Sequence, residues 1–576
     1  MEPCGRRHHV ALLAPPYFGH LAPMVALGRQ LLDRGWRVSL YTDPEFADHV
    51  PEGVEHVQIQ LPTMEHEGRS SSAVDRFRDD WRDLAHKDHN GNVAVDFAYQ
   101  FTIATRERAD GSCMLEECHL FVAKCMDHMR SKPPDCVLAD FICFLPGEAC
   151  WLQVFCEARS IALLRLNSQA QPDILAGKNL FTILYLAFAK GLFRQMIGSR
   201  SLVRMPKVMA KSNRMMEDRG YRNDPISSYP FTVLSDGNRW PHTIFPTVPS
   251  LFFDRWEDGS PAEIQSWMSL VGPVVRSSAG SGALRERAPG AAHWLESCEL
   301  PCVYVAFGTL VVMTKDLATR LCEALLPQAH LDAPSCARWR VLWALRREYW
   351  DLLPDAVRNS GLLHLEHFVP QVDVLQSREV CMMVCHHGQN STTECLVAGK
   401  PMVGMPFFSD QHHWARIVQR AGGGVRLSKH APAERIREAI TEVLSNPGYA
   451  RAAKALSEEL CSGRPAAEQV DELMRAAVAR EAALRQKSTP QLVLGDKAST
   501  AAVARVDRHG QRGVPLSLLL LAFFAFPLLP RGVRPRRLTP AGFAALLGAV
   551  ALLSNAANLR GQLAAAIRNH LRGRKR

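Results

Sequence analysis

The sequence lacks the cysteine pattern of an exported protein. Its sixteen cysteines are scattered singly through apolar stretches, without the closely spaced pairs of a disulfide framework. An export signal is also absent, because Arg6 and Arg7 lead straight into a short strand-like run where a signal peptide needs about 7–15 apolar residues. These absences predict reduced thiols and a catalytic body in the cytosol.

Acidic side chains are nearly absent from the C-terminal tail. Residues 498–576 contain thirteen Lys or Arg against one acid, Asp507, whereas the preceding 497 residues contain 55 basic and 57 acidic side chains. The net charge of +10 therefore comes from a basic tail on a body that is close to neutral. Nucleic-acid binding would need basic residues interleaved with aromatic ones on the body, so we expect no nucleic-acid partner.

The tail also lacks an apolar run that spans a bilayer comfortably. Its apolar segments, 514–530 and 539–559, have uncharged cores of fourteen and thirteen residues, Leu516–Leu529 and Ala541–Leu553. At 1.5 Å per residue each core reaches about 20 Å, against a hydrocarbon core of about 30 Å. The four arginines between them favour a shallow hairpin among anionic headgroups, or a single crossing with the second segment at the interface. We expect membrane association through residues 514–559, and the alternative is a helical hairpin buried in the globule.

The rest of the chain has ordinary globular composition, 47% apolar and 22% charged, in alternating strand-like and helix-like stretches. The runs His9–Pro15 and Arg37–Thr42 flank a helix-period stretch, and this βαβ opening predicts a parallel sheet. A second such series starts at Cys302–Phe307, beyond a segment rich in Gly, Ser and Ala. The predicted fold class is α/β, with a first domain at residues 1–275, a linker at 276–292, a second domain with return helices at 293–497, and the basic tail at 498–576.

The first βα turn has Gly19-His20 in place of the G-x-G-x-x-G fingerprint that cradles a pyrophosphate. His20 follows a parallel strand, where open α/β sheets bind ligands, and an imidazole titrates near neutrality, as a general base requires. Asp140 ends another strand-like run, so its carboxylate could fix the histidine tautomer and stabilise the imidazolium. The pair predicts a base that activates an acceptor, and the alternative is a loop histidine with a helix-capping aspartate.

The most informative segment is Phe368–Gln411. A strand-like run ends at Cys385, and the next residues, 386–391 (His-His-Gly-Gln-Asn-Ser), open a predicted helix. Backbone N–H groups and the dipole at such a helix start hold an anion, and the polar side chains add donors. Glu394 would repel phosphate but suits ribose hydroxyls, and the pair Asp410-Gln411 suits sugar hydroxyls. The segment therefore predicts a site for a diphosphate and a sugar.

This segment resembles the donor-binding signature of UDP-dependent glycosyltransferases, the inverting GT-B group that includes plant secondary-product glycosyltransferases and animal UDP-glucuronosyltransferases. The matched positions are Pro370, Gln371, His386, Gly388, Asn390, Ser391, Glu394, Gly399, Pro401, Pro406, Asp410 and Gln411. The Gly19-His20 turn and Thr309 also fit, so the similarity extends over residues 8–485. Phe368 stands where plant members carry a Trp that stacks on uracil, and a Phe ring can still stack.

The resemblance implies two Rossmann-like domains facing a cleft, with a UDP-sugar donor. It implies that His20 is the general base and Asp140 its charge partner. It also implies that Phe368 and Gln371 contact uracil or ribose and that Glu394 binds the ribose. The residues implied to surround the diphosphate are Thr309, His386, Gly388, Asn390 and Ser391. The transferred sugar is implied to bind to Asp410 and Gln411. The family needs no metal, and we expect neither a metal nor a cofactor here.

The expected function is inverting transfer of a hexosyl group from a UDP-sugar to a hydroxyl of a small lipophilic acceptor. The apolar stretch Phe181–Phe193 favours such an acceptor, and the tail favours a membrane-associated enzyme with its catalytic body on the cytosolic side. Two alternatives remain open. One is a lipid-head-group glycosyltransferase acting on a sterol, diacylglycerol or sphingoid acceptor, and the other is a non-catalytic, membrane-tethered sugar-nucleotide binding protein. The donor sugar, glucose, glucuronic acid or another, is also open.

Overall fold

In a computed structural model, the chain forms two α/β halves, each built on its own parallel sheet. The structure describes residues 7–66, 69–86, 103–108, 110–144, 151–167, 201–221, 241–251, 266–276, 281–297, 299–326 and 338–487. The predicted basic tail and the apolar stretch at 181–193 lie outside these ranges. Within them, the α/β fold class is confirmed.

The first half contains a seven-stranded sheet and a separate hairpin. The strands are β1 (His9–Leu13), β2 (Arg37–Thr42), β3 (Glu55–Gln58), β4 (Met64–His66), β5 (Arg69–Ser71), β6 (Cys136–Asp140), β7 (Ala162–Leu166), β8 (His242–Phe245) and β9 (Met268–Leu270). The helices described here are α1 (Phe18–Asp33), α2 (Ala73–His86), α3 (Met114–Ser131), α4 (Trp151–Arg159) and α5 (Ser201–Asp218). The sheet order is β3-β2-β1-β6-β7-β8-β9, and β4 pairs with β5. Strands β1 and β6 are buried along their whole length, as expected for a parallel sheet with helices on both faces.

The second half contains a six-stranded sheet. Its strands are β10 (Cys302–Ala306), β11 (Arg340–Ala344), β12 (Leu363–Glu366), β13 (Val380–Cys385), β14 (Met402–Gly404) and β15 (Gly424–Arg426). Its helices are α6 (Ser281–Arg287), α7 (Pro289–Glu296), α8 (Lys315–Leu325), α9 (Asp355–Arg358), α10 (Gln371–Gln376), α11 (Gln389–Val397), α12 (Gln411–Arg420), α13 (Ala433–Ser445) and α14 (Pro447–Ser462), followed by α15 (Ala466–Lys487). The order β12-β11-β10-β13-β14-β15 is that of a doubly wound nucleotide-binding sheet.

Each sheet has one point at which the strand order reverses, between β1 and β6 in the first half and between β10 and β13 in the second. Open α/β sheets bind ligands in the crevice beyond the carboxyl ends of the strands at such a point. His20 follows β1 and Asp140 ends β6. Thr309 follows β10 and His386 follows β13, so both pairs of strand ends carry predicted site residues.

The segment 276–292, predicted to be a linker, is largely helical. Helices α6 and α7 cover most of it, and Leu284, Ala291 and Leu295 are buried in the same core as Tyr304 of β10. The Gly, Ser and Ala content suggested a flexible connection, but alanine is a strong helix former and Pro289 occupies a favourable first helical position. This core therefore extends the second half back to α6.

The last described helix, α15, packs on the first half. Val470 and Met474 are buried in the core that contains β1, and Trp36 Nε1 donates a hydrogen bond to Asp471 Oδ1 at 2.6 Å. Helix α13 instead contributes Ile436 to the core beneath the second sheet. The predicted return helices thus divide between the two halves, and α15 brings the chain back from the second half to the first.

None of the described helices between residues 7 and 487 is both long enough and apolar enough to cross a membrane. The predicted membrane segments 514–530 and 539–559 lie outside that part of the chain.

Candidate active site

In the first half the structure brings His20 and Asp140 together. His20 Nδ1 lies 3.1 Å from the Asp140 carboxylate, although the two residues are 120 positions apart. Asp140 is fully buried, whereas the His20 side chain is 15% exposed. The contact follows from the sheet order, because β1 pairs directly with β6 and places both residues at the carboxyl ends of neighbouring strands.

The carboxylate determines which ring nitrogen of His20 carries the proton. An ionised carboxylate only accepts hydrogen bonds, so Nδ1 must be the donor, and the lone pair is on Nε2. Asp140 Oδ1 also accepts the Ile142 N–H at 2.9 Å, which holds the carboxylate in position. The rings of Tyr17 and Phe141 lie 6.0 Å and 5.4 Å from the imidazole. The arrangement is chemically suited to accept a proton from a hydroxyl held beside aromatic rings.

In the second half, the predicted diphosphate site is the start of helix α11. Gly388 is the residue before the helix, and Asn390 and Ser391 lie in its first turn. The Gln389 N–H donates to Asp410 Oδ2 at 3.1 Å, so one amide of this turn already has a carboxylate partner. Burial raises the pKa of Asp410 to about 6, which is well above the usual range for an aspartate.

His386 lies in a space that only glycines leave open. A Cβ atom at Gly308 would lie 2.7 Å from His386 Cε1, and one at Gly388 would lie 2.5 Å from His386 Nε2. Burial lowers the pKa of His386 to about 4. The ring is therefore neutral near pH 7 and gives a phosphate no full positive charge, and its hydrogen bond with the Ala306 backbone opposes the lowering of the pKa. The adjacent His387 has a left-handed backbone (φ 60°), and its ring packs against Gly404.

A partly buried network joins the predicted uridine-binding residues. Gln371 Nε2 donates to Glu394 Oε2 at 2.6 Å and lies 3.1 Å from Ser391 Oγ, while Gln371 Oε1 accepts the Tyr304 hydroxyl at 3.1 Å. Burial raises the pKa of Glu394, and the Gln371 hydrogen bond and the charge of Arg276 oppose that rise. Gln371 is thus held by three partners, and it fixes the Glu394 carboxylate beside the start of α11.

The other predicted donor residues surround this network. Phe368 is 54% exposed, an unusual position for a large apolar ring, and it lies 6.5 Å from His49 of the first half. Thr309 is exposed in the turn after β10, next to Gly308. Gln411 is buried, and its Oε1 accepts the backbone N–H groups of Phe407 and Phe408 at 2.8 and 3.2 Å. This carbonyl oxygen therefore organises the loop before α12.

The two halves meet directly at this site. Asn390 Nδ2 donates a hydrogen bond of 2.7 Å to the Gly19 carbonyl, one residue before His20. A narrow pocket at the junction is lined by Ala22, Pro23, Val274, Arg276, Asn390 and Glu394. The two sets of predicted residues thus lie at one junction between the halves.

Arg276 lines this pocket but was missed by sequence reasoning, because it lies at the start of the segment interpreted as a linker. Its guanidinium carbon lies 5.9 Å from the centre of the Phe18 ring, and its charge acts on both Glu394 and His49. In the sequence, the one feature that could have drawn attention to this arginine is its position directly after the Gly-Pro-Val-Val run. That position does not by itself indicate a ligand-binding residue.

The fold resembles that of solved glycosyltransferases. The structure matches the crystal structure of the glycotransferase of kitacinnamycin with a TM-score of 0.54 and 19% sequence identity, over 83% of this chain and 100% of that one. At this identity the match establishes the fold alone, which is the GT-B arrangement of two α/β domains.

Sequence comparison connects the second half to a family. Residues 291–491 match the model of the UDP-glucoronosyl and UDP-glucosyl transferases. Flavonol 3-O-glucosyltransferase F3GT2 of Actinidia chinensis var. chinensis is 32% identical over 161 residues, which are 27% of this chain and 33% of that protein. UDP-glycosyltransferase 73E1 of Stevia rebaudiana is 25% identical over 446 residues, which cover 71% of this chain and 79% of that protein. Several other relatives are matched over only 29% to 45% of their length.

Proposed function

Residues 291–491 are a UDP-glycosyltransferase domain, and from this premise we propose that the protein transfers a hexosyl group from a UDP-sugar to a hydroxyl of a small lipophilic acceptor, with inversion at the anomeric carbon. One observation carries the proposal. The His20–Asp140 pair of the first half and the start of α11 in the second lie at one junction, joined by the bond from Asn390 to Gly19.

In the proposed reaction, His20 Nε2 accepts the proton of the acceptor hydroxyl. The oxygen forms a bond to the anomeric carbon as the bond between that carbon and the UDP oxygen breaks, and UDP leaves with the electron pair. Asp140 stabilises the imidazolium that forms, because its carboxylate is buried against Nδ1 and needs no reorganisation. A single displacement of this kind inverts the anomeric configuration.

The donor is proposed to lie along α11 and the strand ends beside it. Phe368 offers an exposed ring for uracil, and the Glu394 carboxylate accepts hydrogen bonds from the ribose. Thr309, His386, Asn390 and Ser391 donate to the diphosphate together with the N–H groups of the helix start. Since His386 is neutral, the charge of the leaving UDP is offset by the helix dipole and by Arg276, and we propose that no metal or cofactor is needed.

Asp410 and Gln411 are proposed to bind the transferred sugar. The Asp410 carboxylate is buried at the start of α11 and is ionised at pH 7.5 against its raised pKa of about 6. Burial of an ionised carboxylate lowers the stability of the folded protein. Such a group is typical of a functional site, where residues are retained for ligand binding at a cost in stability.

The raised pKa leads to a pH-dependent prediction for Asp410→Asn. Folding disfavours the ionised form of Asp410, so the contribution of this group lowers the free energy of unfolding as pH rises from about 4 to about 6. A difference of about two units between the pKa values of the folded and unfolded states corresponds to roughly 3 kcal/mol. We therefore expect Asp410→Asn to raise the thermal midpoint at pH 7.5 and to raise it less at pH 5, while weakening UDP-hexose binding at pH 7.5. Calorimetry at the two pH values measures both effects, and an equal stabilisation at both would contradict the prediction.

The acceptor is proposed to be lipophilic because Tyr17 and Phe141 lie beside His20. The Actinidia relative is named as a flavonol glucosyltransferase, and a flat, largely apolar phenol of that kind suits a hydroxyl-activating base between aromatic rings. The direct test is to incubate the full chain with a panel of UDP-sugars and of phenols, sterols, sphingoid bases and diacylglycerols, and to identify the products by mass spectrometry. We expect a glycosylated phenol or other small lipophilic alcohol. Glycosylation of diacylglycerol alone would favour the lipid-head-group enzyme, and UDP-sugar binding without any product would favour the sensor.

Membrane association through residues 514–559 is proposed from the sequence, with the catalytic body on the cytosolic side. Apolar segments flanked by arginines bind anionic headgroups as well as acyl chains. We expect the full chain to float with vesicles containing phosphatidylserine, and a chain ending at Gly513 to remain unbound and active. Equal flotation of both chains would place the membrane contact elsewhere.

A further inference from the structure

The first helix of the chain carries a proline where a regular helix would use a backbone N–H. Helix α1 begins at Phe18, so His20 lies in its first turn rather than in the loop that the sequence suggested. Pro23 lies inside this helix. In an α-helix the N–H of residue 23 would donate to the carbonyl of Gly19, four positions earlier, and the proline ring removes that N–H.

The Gly19 carbonyl instead receives a donor from the other half of the protein. Asn390 Nδ2 donates to it at 2.7 Å across 371 positions of sequence. The orientation of the amide follows from chemistry, because its oxygen would repel the carbonyl while its NH₂ group can donate. Pro23 and Asn390 also line the same pocket at the junction.

The Asn390 amide has two N–H groups, and one of them is used on Gly19. The second makes no hydrogen bond within the part of the chain that the structure describes, and Asn390 stands in the first turn of α11, where the diphosphate is proposed to bind. One amide can therefore contact the donor and the turn that carries the base at the same time.

We propose that Pro23 and Asn390 form a positioning contact that couples donor binding to the placement of His20. Pro23 leaves the Gly19 carbonyl available, and Asn390 uses it to hold the His20 turn against the donor helix. Pro23 is thus a positioning residue, which acts on His20 through the Gly19 carbonyl. This inference rests on the proposed transferase function, since the coupling matters only if His20 acts on an acceptor beside the donor.

Pro23→Ala is the sharpest variant, because it restores the competing N–H without removing any hydrogen-bonding or charged side-chain group from the junction pocket. Removing a proline from a helix interior stabilises the helix, so we expect an unchanged or higher thermal midpoint. We expect kcat to fall by about 2- to 10-fold, the change that a hydrogen bond of ordinary strength produces. Because the coupling between two equilibria is reciprocal, the Kd for UDP should rise as well, by no more than the same factor. A fall in kcat without a loss of stability separates positioning from a structural defect.

A double-mutant cycle tests the coupling itself. Asn390→Ala should lower both kcat and UDP affinity, and in that background Pro23→Ala should have no further effect on kcat, because the contact is already absent. Ser391→Ala is the matched control, since Ser391 lies in the same helical turn and contacts Gln371 rather than the first half. Pro23→Ala and Ser391→Ala should therefore act additively. Additive effects of Pro23→Ala and Asn390→Ala, or wild-type kcat in Pro23→Ala, would overturn the proposal.

A readout without substrates distinguishes failure of this inference from failure of the proposed function. In hydrogen–deuterium exchange, Asn390→Ala should accelerate exchange in peptides covering residues 17–24, and Ser391→Ala should not. If that difference appears but no pair of UDP-sugar and acceptor gives a product, the result supports the contact and contradicts the proposed transferase function. If transfer occurs and the two variants show equal exchange rates in residues 17–24, the result supports the proposed function and overturns the positioning contact.

Discussion

Replacing His20 by alanine is expected to abolish sugar transfer while UDP still binds. A positioned general base typically contributes about 10²- to 10⁴-fold to the rate, so we expect kcat to fall by that factor. His20 belongs to the first half, whereas the groups proposed to hold UDP belong mainly to α11 and its surroundings, so UDP affinity should change by less than about threefold. Steady-state kinetics and calorimetry with UDP provide the two measurements.

Asp140→Asn separates the chemistry of the pair from its packing. The asparagine oxygen can still accept the Ile142 N–H, but an amide NH₂ turned toward His20 would donate to Nδ1 and force the proton onto Nε2. We expect a loss of kcat comparable with that of His20→Ala and an unchanged thermal midpoint. His430→Ala, which removes an exposed imidazole of the second half, is the control and should retain full activity. Transfer at the wild-type rate by His20→Ala would eliminate this histidine as the base.

Gly388→Ala is expected to impair donor binding strongly although it adds only one methyl group. The backbone of Gly388 has φ −61° and ψ 144°, which alanine adopts without strain, so the effect comes from contact alone. The new Cβ would lie 2.5 Å from His386 Nε2 and would displace either the ring or the start of α11. Since each proposed hydrogen bond to the diphosphate is charge-assisted, we expect UDP affinity to fall by about 10- to 100-fold, or about 1.4–2.8 kcal/mol.

A second glycine provides the matched control for this substitution. No heavy atom lies within 4 Å of a Cβ built on Gly361, which is exposed in the turn before β12. Gly361→Ala should therefore bind UDP like wild type, as measured by the same calorimetric titration. If Gly388→Ala also retained wild-type affinity, the ring of His386 and the first amides of α11 would not contact the diphosphate.

The strand and helix succession was largely predictable, because it depends on patterns only a few residues long. The runs before His20 and before Asp140 were identified as strands, and the Gly-Gln-Asn-Ser turn was placed at a helix start. Two local features were misjudged. Helix α1 begins at Phe18 although it contains a proline, because its apolar residues are buried in the core that contains β1. Helices α6 and α7 occupy most of the predicted linker, because their apolar residues are buried against the second sheet.

The sequence by itself determined which residue types stand at the strand ends and at the start of α11, since spacing within one turn is fixed by local geometry and the donor signature occupies a single continuous segment. Only the tertiary structure decided which of these groups meet. The contact of His20 with Asp140 depends on β1 pairing with β6, and the contact of Asn390 with Gly19 depends on how two separate sheets face each other. The neutral state of His386 and the place of Arg276 beside Glu394 likewise depend on burial and on charges from distant segments, which no local pattern specifies.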